Sequence, residues 1–122
     1  MKGSKASHDE ISHALDAKET TAGGALRANS GKVNWSLLPF QYMEGVVRVL
    51  MKGAIKYKLH NWRKGMPWSE AYNSCQRHLV KFQAGQDIDE FDDDGRPGTM
   101  EHHIDCAICN LLFLRAYIKE HP

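Results

Sequence analysis

Between Gly53 and His103 the chain gathers residue types that hold metals and phosphates. Lys56 and Tyr57 close a helical stretch, Asn61-Trp62 follow in a turn, and His78 stands in the next helix. An acidic loop with Asp87, Asp89 and Glu90 then leads to Glu101-His102-His103-Ile104-Asp105. Imidazoles and carboxylates bind divalent ions and accept protons. Lysines beside aromatic rings suit an anion that carries a flat base. Together these types point to a polyanion held with a metal. Arg27 and Lys32 extend the set upstream, because they bracket an Asn-Ser-Gly turn whose exposed N–H groups could cradle an anion.

Each feature also has a plainer reading. Lys52, Lys56 and Lys58 would complement the negative pole of a helix C-terminus without any ligand. His78 lies at the edge of an apolar stripe, where a lone His is more often a satisfied boundary residue. Trp62 and Trp68 could both cap the end of a core, and the turn between Arg27 and Lys32 could be a solvated loop. Cys106 and Cys109 form a CxxC in mid-helix with no second pair, which reads as packing rather than zinc. Glu90, Asp92, Asp94, Gly95 and Glu101 match places of a calcium loop, but Glu stands first and Pro97-Gly98 interrupts its later half. A loop lending Asp87 and Asp89 to a nearby site is the better reading.

Three helices must position these groups. The first, over Phe40–Tyr57, repeats Phe40, Met43, Val46, Val47, Leu50, Met51, Ala54 and Tyr57 at helical spacing. Gly45 and Gly53 within it each cost about 1 kcal/mol relative to Ala, so both are expected to mark close packing. The second, Glu70–Ala84, carries Tyr72, Cys75, Leu79 and Phe82 on one face and stops at Gly85. The third, Glu101–Glu120, has Ile104, Ala107, Ile108, Leu111, Leu114 and Ile118 as its stripe. His103 and Asn110 flank one side of that stripe, Glu101 and Asp105 the other. No strand pattern or repeat occurs. The fold class expected is therefore all-α, a small bundle of three main helices over residues 25–122 behind a flexible N-terminal arm, residues 1–24. Three helices are few for so many apolar faces, which points to completion by homo-oligomerisation.

With 122 residues, 42% hydrophobic and 25% charged, the chain suits one globular domain with a modest core. A formal net charge of +1 makes no general case for nucleic-acid binding. The apolar runs fall well short of the ~18 residues needed to span a bilayer. Three cysteines cannot all pair and no secretory signal is visible, so a reduced, cytoplasmic compartment is expected.

Four segments in order, LRANSGKVNWSLLP, GAIKYKLHNWRKGMPW, RHLVKFQAGQDID and HHIDCAICNLLFL, resemble a family found in tailed bacteriophages. It is the dATP/dGTP diphosphohydrolase N-terminal domain, a distant relative of the all-α, MazG-like nucleoside triphosphate pyrophosphohydrolases. The similarity runs from about Ala25 to Tyr117. It implies cleavage of purine deoxynucleoside triphosphates to monophosphate and pyrophosphate, in the host cytoplasm for a phage-encoded chain. Magnesium is the ion it implies first, while a His-rich ligand set would suit manganese, cobalt or zinc. His78 and His103 would serve as ligand or base, with Asp87, Asp89 and Asp105 as oxygen ligands. Arg27, Lys32 and Lys56 would hold phosphates, and Tyr57, Asn61 and Trp62 the base or sugar. Two departures stand out. Cys106 occupies a place where the family pattern often has a second His, and the paired ExxE and ExxD helices of the MazG group are absent. The alternative function is a non-catalytic nucleotide-binding domain, a sponge or regulatory module.

Overall fold

The computed structural model describes residues 22–24 and 31–122. Arg27 and most of the expected arm, residues 1–21, lie outside the described residues. The chain divides into two units, Met1–Pro39 and Phe40–Pro122. In the first, the described residues form 3-10 turns at Ala22–Gly24 and Trp35–Leu37. Asn34 opens the second turn by accepting a hydrogen bond from the Ser36 N–H at 3.1 Å. Lys32 is an exposed residue of this unit.

The second unit is all-α, as the periodicity predicts, and no strand forms among the described residues. A 3-10 turn at Phe40–Tyr42 leads into helix α1, Glu44–Tyr57, with Glu44 in its first turn and Lys56 in its last, both complementing the dipole. After a 3-10 turn at Asn61–Lys64, Pro67 sets the start of α2, Trp68–Gln83. Gly85 (φ 94°) ends α2 in a Schellman arrangement: its N–H donates to the Phe82 carbonyl and the Gln86 N–H to Lys81, both at 3.0 Å. Helix α3, His103–Glu120, begins where His102 Nδ1 accepts the Ile104 N–H at 3.0 Å.

Helices α1 and α2 both pack on α3 and not on one another. The core is correspondingly narrow: Val46, Ala71, Cys75, Cys106, Ala107, Cys109 and Tyr117. The expected stripes need correcting here. Val46 and Cys75 are buried, but Phe40, Val47, Met51, Tyr57, Tyr72, Leu79 and Phe82 stay exposed. On α3 the buried side is His103, Cys106, Ala107, Cys109 and Tyr117, while Leu111 and Ile118 face outward. The physical reason is that α3 is apolar nearly all round, so periodicity alone does not choose its inner face. Cys106, Ala107 and Cys109 are small enough to let α2 approach through Ala71 and Cys75, while His103 and Tyr117 turn inward where His78 and the Trp62 carbonyl meet them.

The two helical glycines differ. A Cβ on Gly45 would collide with the Asp105 carboxylate, so this glycine admits α3 beside the first turn of α1. Gly53, also expected to mark close packing, has nothing within 4 Å of a Cβ.

Candidate functional site

Because α1 and α2 are held apart by α3, a cleft of about 820 Å³ opens between them. Cys106, Cys109, Asn110 and Phe113 of α3 line it from below. Lys52, Lys56 and Tyr57 come from α1, Asn61 and Trp62 from the following turn, and Arg77, His78 and Lys81 from α2. Asp89 and Thr99 arrive from the acidic loop. Three non-glycine residues in the described part of the chain have positive φ, Lys58 (111°), His60 (61°) and Met100 (62°), and all line this cleft. Backbone strain of this kind collects at working sites, where the surroundings hold it in place.

At one end sit the aromatic groups. The Trp62 indole stacks on Phe113 with ring centres 4.8 Å apart, and the Trp62 carbonyl accepts the Tyr117 hydroxyl at 2.7 Å. The Arg63 guanidinium lies over the same indole at 5.4 Å, and Lys56 Nζ sits 5.1 Å from the exposed Tyr57 ring. Trp68 is elsewhere. Its Nε1–H donates to the His121 carbonyl at 3.0 Å, fastening the end of α3, while the indole itself stays exposed rather than capping the core.

At the other end two imidazoles meet: His78 Nδ1 and His103 Nδ1 are 2.9 Å apart, so one ring donates and the other accepts. Burial holds both below the ordinary histidine pKa, which keeps them neutral near pH 7. His103 is fully buried behind the cleft, and its N–H donates to the Asp87 carbonyl at 2.7 Å.

Asp89 is a buried and firmly placed carboxylate. Its N–H donates to the Glu101 carbonyl and its own carbonyl accepts from Met100, both at 2.8 Å. Its Oδ2 accepts the Thr99 N–H and hydroxyl, each at 2.9 Å. Gly98 makes room for this, since a Cβ there would collide with the Asp89 carbonyl. The Thr99 hydroxyl also lies 3.3 Å from Cys106 Sγ. His78, Asp89 and Cys106 thus each bring one ligand atom into a group whose members all lie within 4.8 Å of one another. An imidazole, a carboxylate and a thiol form a donor set that fits a divalent transition or zinc-class ion. Burial raises the uncomplexed Cys106 thiol to about 11 and that of Cys109 to about 12.

The loop around this group is held by charge. Buried Glu101 is gripped by Lys52 and Arg48, which together keep its carboxyl below the usual range; Lys52 also donates to the Thr99 carbonyl. Asp92 caps its own turn, accepting from the Asp94 and Arg96 N–H groups at 2.9 and 2.8 Å. With Asp92 and Glu101 so occupied, the calcium-loop spacing does not assemble a calcium loop. Asp93 pairs with Lys81 at 3.0 Å and lies 3.9 Å from Arg77, and its carboxyl is held low chiefly by Lys81.

Of the residues singled out from the sequence, Lys56, Tyr57, Asn61, Trp62, His78 and Asp89 come together in one cleft, with His103 against His78. Asp87 has an exposed carboxylate 4.0 Å from His102 Nε2, and Asp105 lies against Gly45. Lys32 belongs to the other unit, and Arg27 is outside the described residues. Sequence reasoning did not single out Arg77, Lys81 and Thr99, and it read Cys106 as packing, yet all four line the cleft. Arg77 and Lys81 were legible as cations one helical turn apart beside His78, and Cys106 by its place three residues after His103.

No helix among the described residues is long and apolar enough to cross a membrane. No curated protein and no solved structure matches the chain. The family described as dATP/dGTP diphosphohydrolase, N-terminal, matches residues 22–122, and the chain belongs to that family.

Proposed function

We propose that the chain is a metal-dependent nucleoside triphosphate pyrophosphohydrolase acting on dATP or dGTP. The observation that carries this reading is one cleft with two chemically different ends: rings and cations at Lys56, Tyr57, Asn61 and Trp62, and metal-capable donors at His78 and Asp89. The family description supplies the purine deoxynucleotide. Trp62, held by Phe113, supports the base, and Asn61 contacts base or sugar. Lys56, Arg77 and Lys81 take the phosphate oxygens. Water adds to the α-phosphorus, the bond to the bridging oxygen breaks, and pyrophosphate leaves with its electron pair while a proton is released.

His78 and Asp89 would hold a divalent ion, with His103 fixing the His78 ring. When bound, such an ion supplies charge neutralisation and Lewis-acid polarisation. Magnesium, the ion the family resemblance implies, takes oxygens and would share the substrate's phosphates. Release of pyrophosphate from a panel of dNTPs with added divalent ions tests the proposal. Purine dNTPs should turn over, and His103→Ala should be much slower. Equal rates for the two proteins, or no turnover by either, would sink the enzyme reading.

A second reading is a non-catalytic nucleotide-binding module. Cys106 at the family's frequent His place favours it. Tight nucleotide binding by calorimetry without hydrolysis selects this alternative.

A further inference from the structure

We propose that Cys106 is a thiolate ligand, and that with His78 and Asp89 it builds a centre that takes a zinc-class ion in preference to magnesium. The proposal deepens the metal assignment above and rests on that reading of the cleft. The three ligand atoms lie within 4.8 Å of one another. Bond lengths of about 2.0–2.3 Å put tetrahedral ligands some 3.3–3.8 Å apart, so side-chain adjustment of an ångström or so brings the widest pair into range.

Each donor already has a group that aims it, as metal ligands usually do. His103 Nδ1 meets His78 Nδ1, which leaves the His78 Nε2 lone pair for the ion if His78 is the donor of that pair. Thr99 holds Asp89 through Oδ2, leaving Oδ1 free of hydrogen bonds to described residues. The same Thr99 hydroxyl touches Cys106 Sγ. One threonine therefore orients two of the three donors.

Cys106 and Asp89 are buried, whereas half-buried His78 reaches the cleft. Three protein donors with a side open to a ligand cleft is the layout of a working zinc centre rather than a closed structural one. Cys75 and Cys109 are equally buried and belong to no such group, so burial alone does not single out Cys106. A thiolate disfavours magnesium, which prefers octahedral oxygen, and favours zinc or cobalt. Binding exchanges the Sγ proton for the ion and releases that proton to solvent.

Cobalt(II) titration of the full chain, stripped of metal with a chelator, reads the site without turnover. The expected result is a near-ultraviolet thiolate-to-cobalt charge-transfer band with intense visible bands, saturating at one equivalent. Zinc should erase them and a large excess of magnesium should not. Cys106→Ser should lose the charge-transfer band, Cys106→His should bind cobalt without it, and Cys109→Ser should keep it. Absence of the band in the wild type, or its survival in Cys106→Ser, overturns the proposal. Hydrolysis measured in parallel separates the two claims. Thiolate bands without turnover remove the enzyme and leave the metal site; magnesium-supported turnover without thiolate bands does the reverse.

Discussion

His78 of α2 and His103 of α3 face each other Nδ1 to Nδ1 at 2.9 Å, one ring donating and the other accepting. The contact joins the two helices at the metal-capable end of the cleft and fixes which nitrogen of His78 is free. His103→Ala removes it and leaves a partly buried ring nitrogen unpaired, at a cost of about 1–3 kcal/mol. Metal affinity should fall by about 10–100-fold, the usual effect of losing a group that aims a ligand. Denaturant melts and metal titration of the same variant check both effects.

Gly98→Ala should act on the same site from the backbone. Its Cβ would collide with the Asp89 carbonyl and stand 2.7 Å from Oδ1, so the loop must move. A stability loss of about 1–3 kcal/mol is expected, with weakened metal binding. Gly53→Ala is the control. With nothing within 4 Å, it should stabilise α1 by up to about 1 kcal/mol.

Asp93 occupies the cations that the proposed reaction needs, lying 3.0 Å from Lys81 and 3.9 Å from Arg77. A triphosphate must displace it. Asp93→Asn should therefore lower KM several-fold at low salt with little change in kcat, and Lys81→Ala should raise KM. Steady-state kinetics at two ionic strengths would show the difference shrinking as salt rises.

Thermal stability should fall in two stages on acidification. The folded pKa values of His78 and His103 lie below the ordinary value of about 6.5, so the unfolded chain takes up protons first and stability declines as pH drops through that value. Glu101 also has a depressed folded pKa, through Lys52 and then Arg48. Its contribution is complete above the unfolded value of about 4.3 and is lost as pH falls through the folded one. Glu101→Gln should flatten the lower stage only, as measured by Tm against pH.

The existence of three helices was legible from periodicity, and the end of α2 from Gly85, but the helices begin at Glu44, Trp68 and His103 rather than at Phe40, Glu70 and Glu101. The aromatic and histidine parts of the site were legible as residue types. Which face of α3 turns inward was not, because Ile104, Leu111 and Ile118 make as good an apolar stripe as Cys106, Cys109 and Tyr117. The choice depends on what α2 can approach closely. The separation of Asp105 from His103 was visible as opposite flanks of α3, and Gly45 shows where the former goes. Lys52 read as a helix-end charge; its grip on Glu101 spans distant parts of the chain and has no local signal.

The outward face of α3 bears on self-association, which we propose. Leu111, Leu112 and Ile118 are each about half exposed, and covering such side chains yields about 1.5–3 kcal/mol apiece at full burial. Leu111→Glu should shift the chain to a smaller species in light scattering after size exclusion. An unchanged mass would remove this face as the contact.

The products formed from dATP or dGTP with one added divalent ion test the central claim most directly, resolved by phosphorus NMR. The account predicts equimolar monophosphate and pyrophosphate, strongly reduced in His78→Ala. Diphosphate with inorganic phosphate, or no product with any ion, would contradict it.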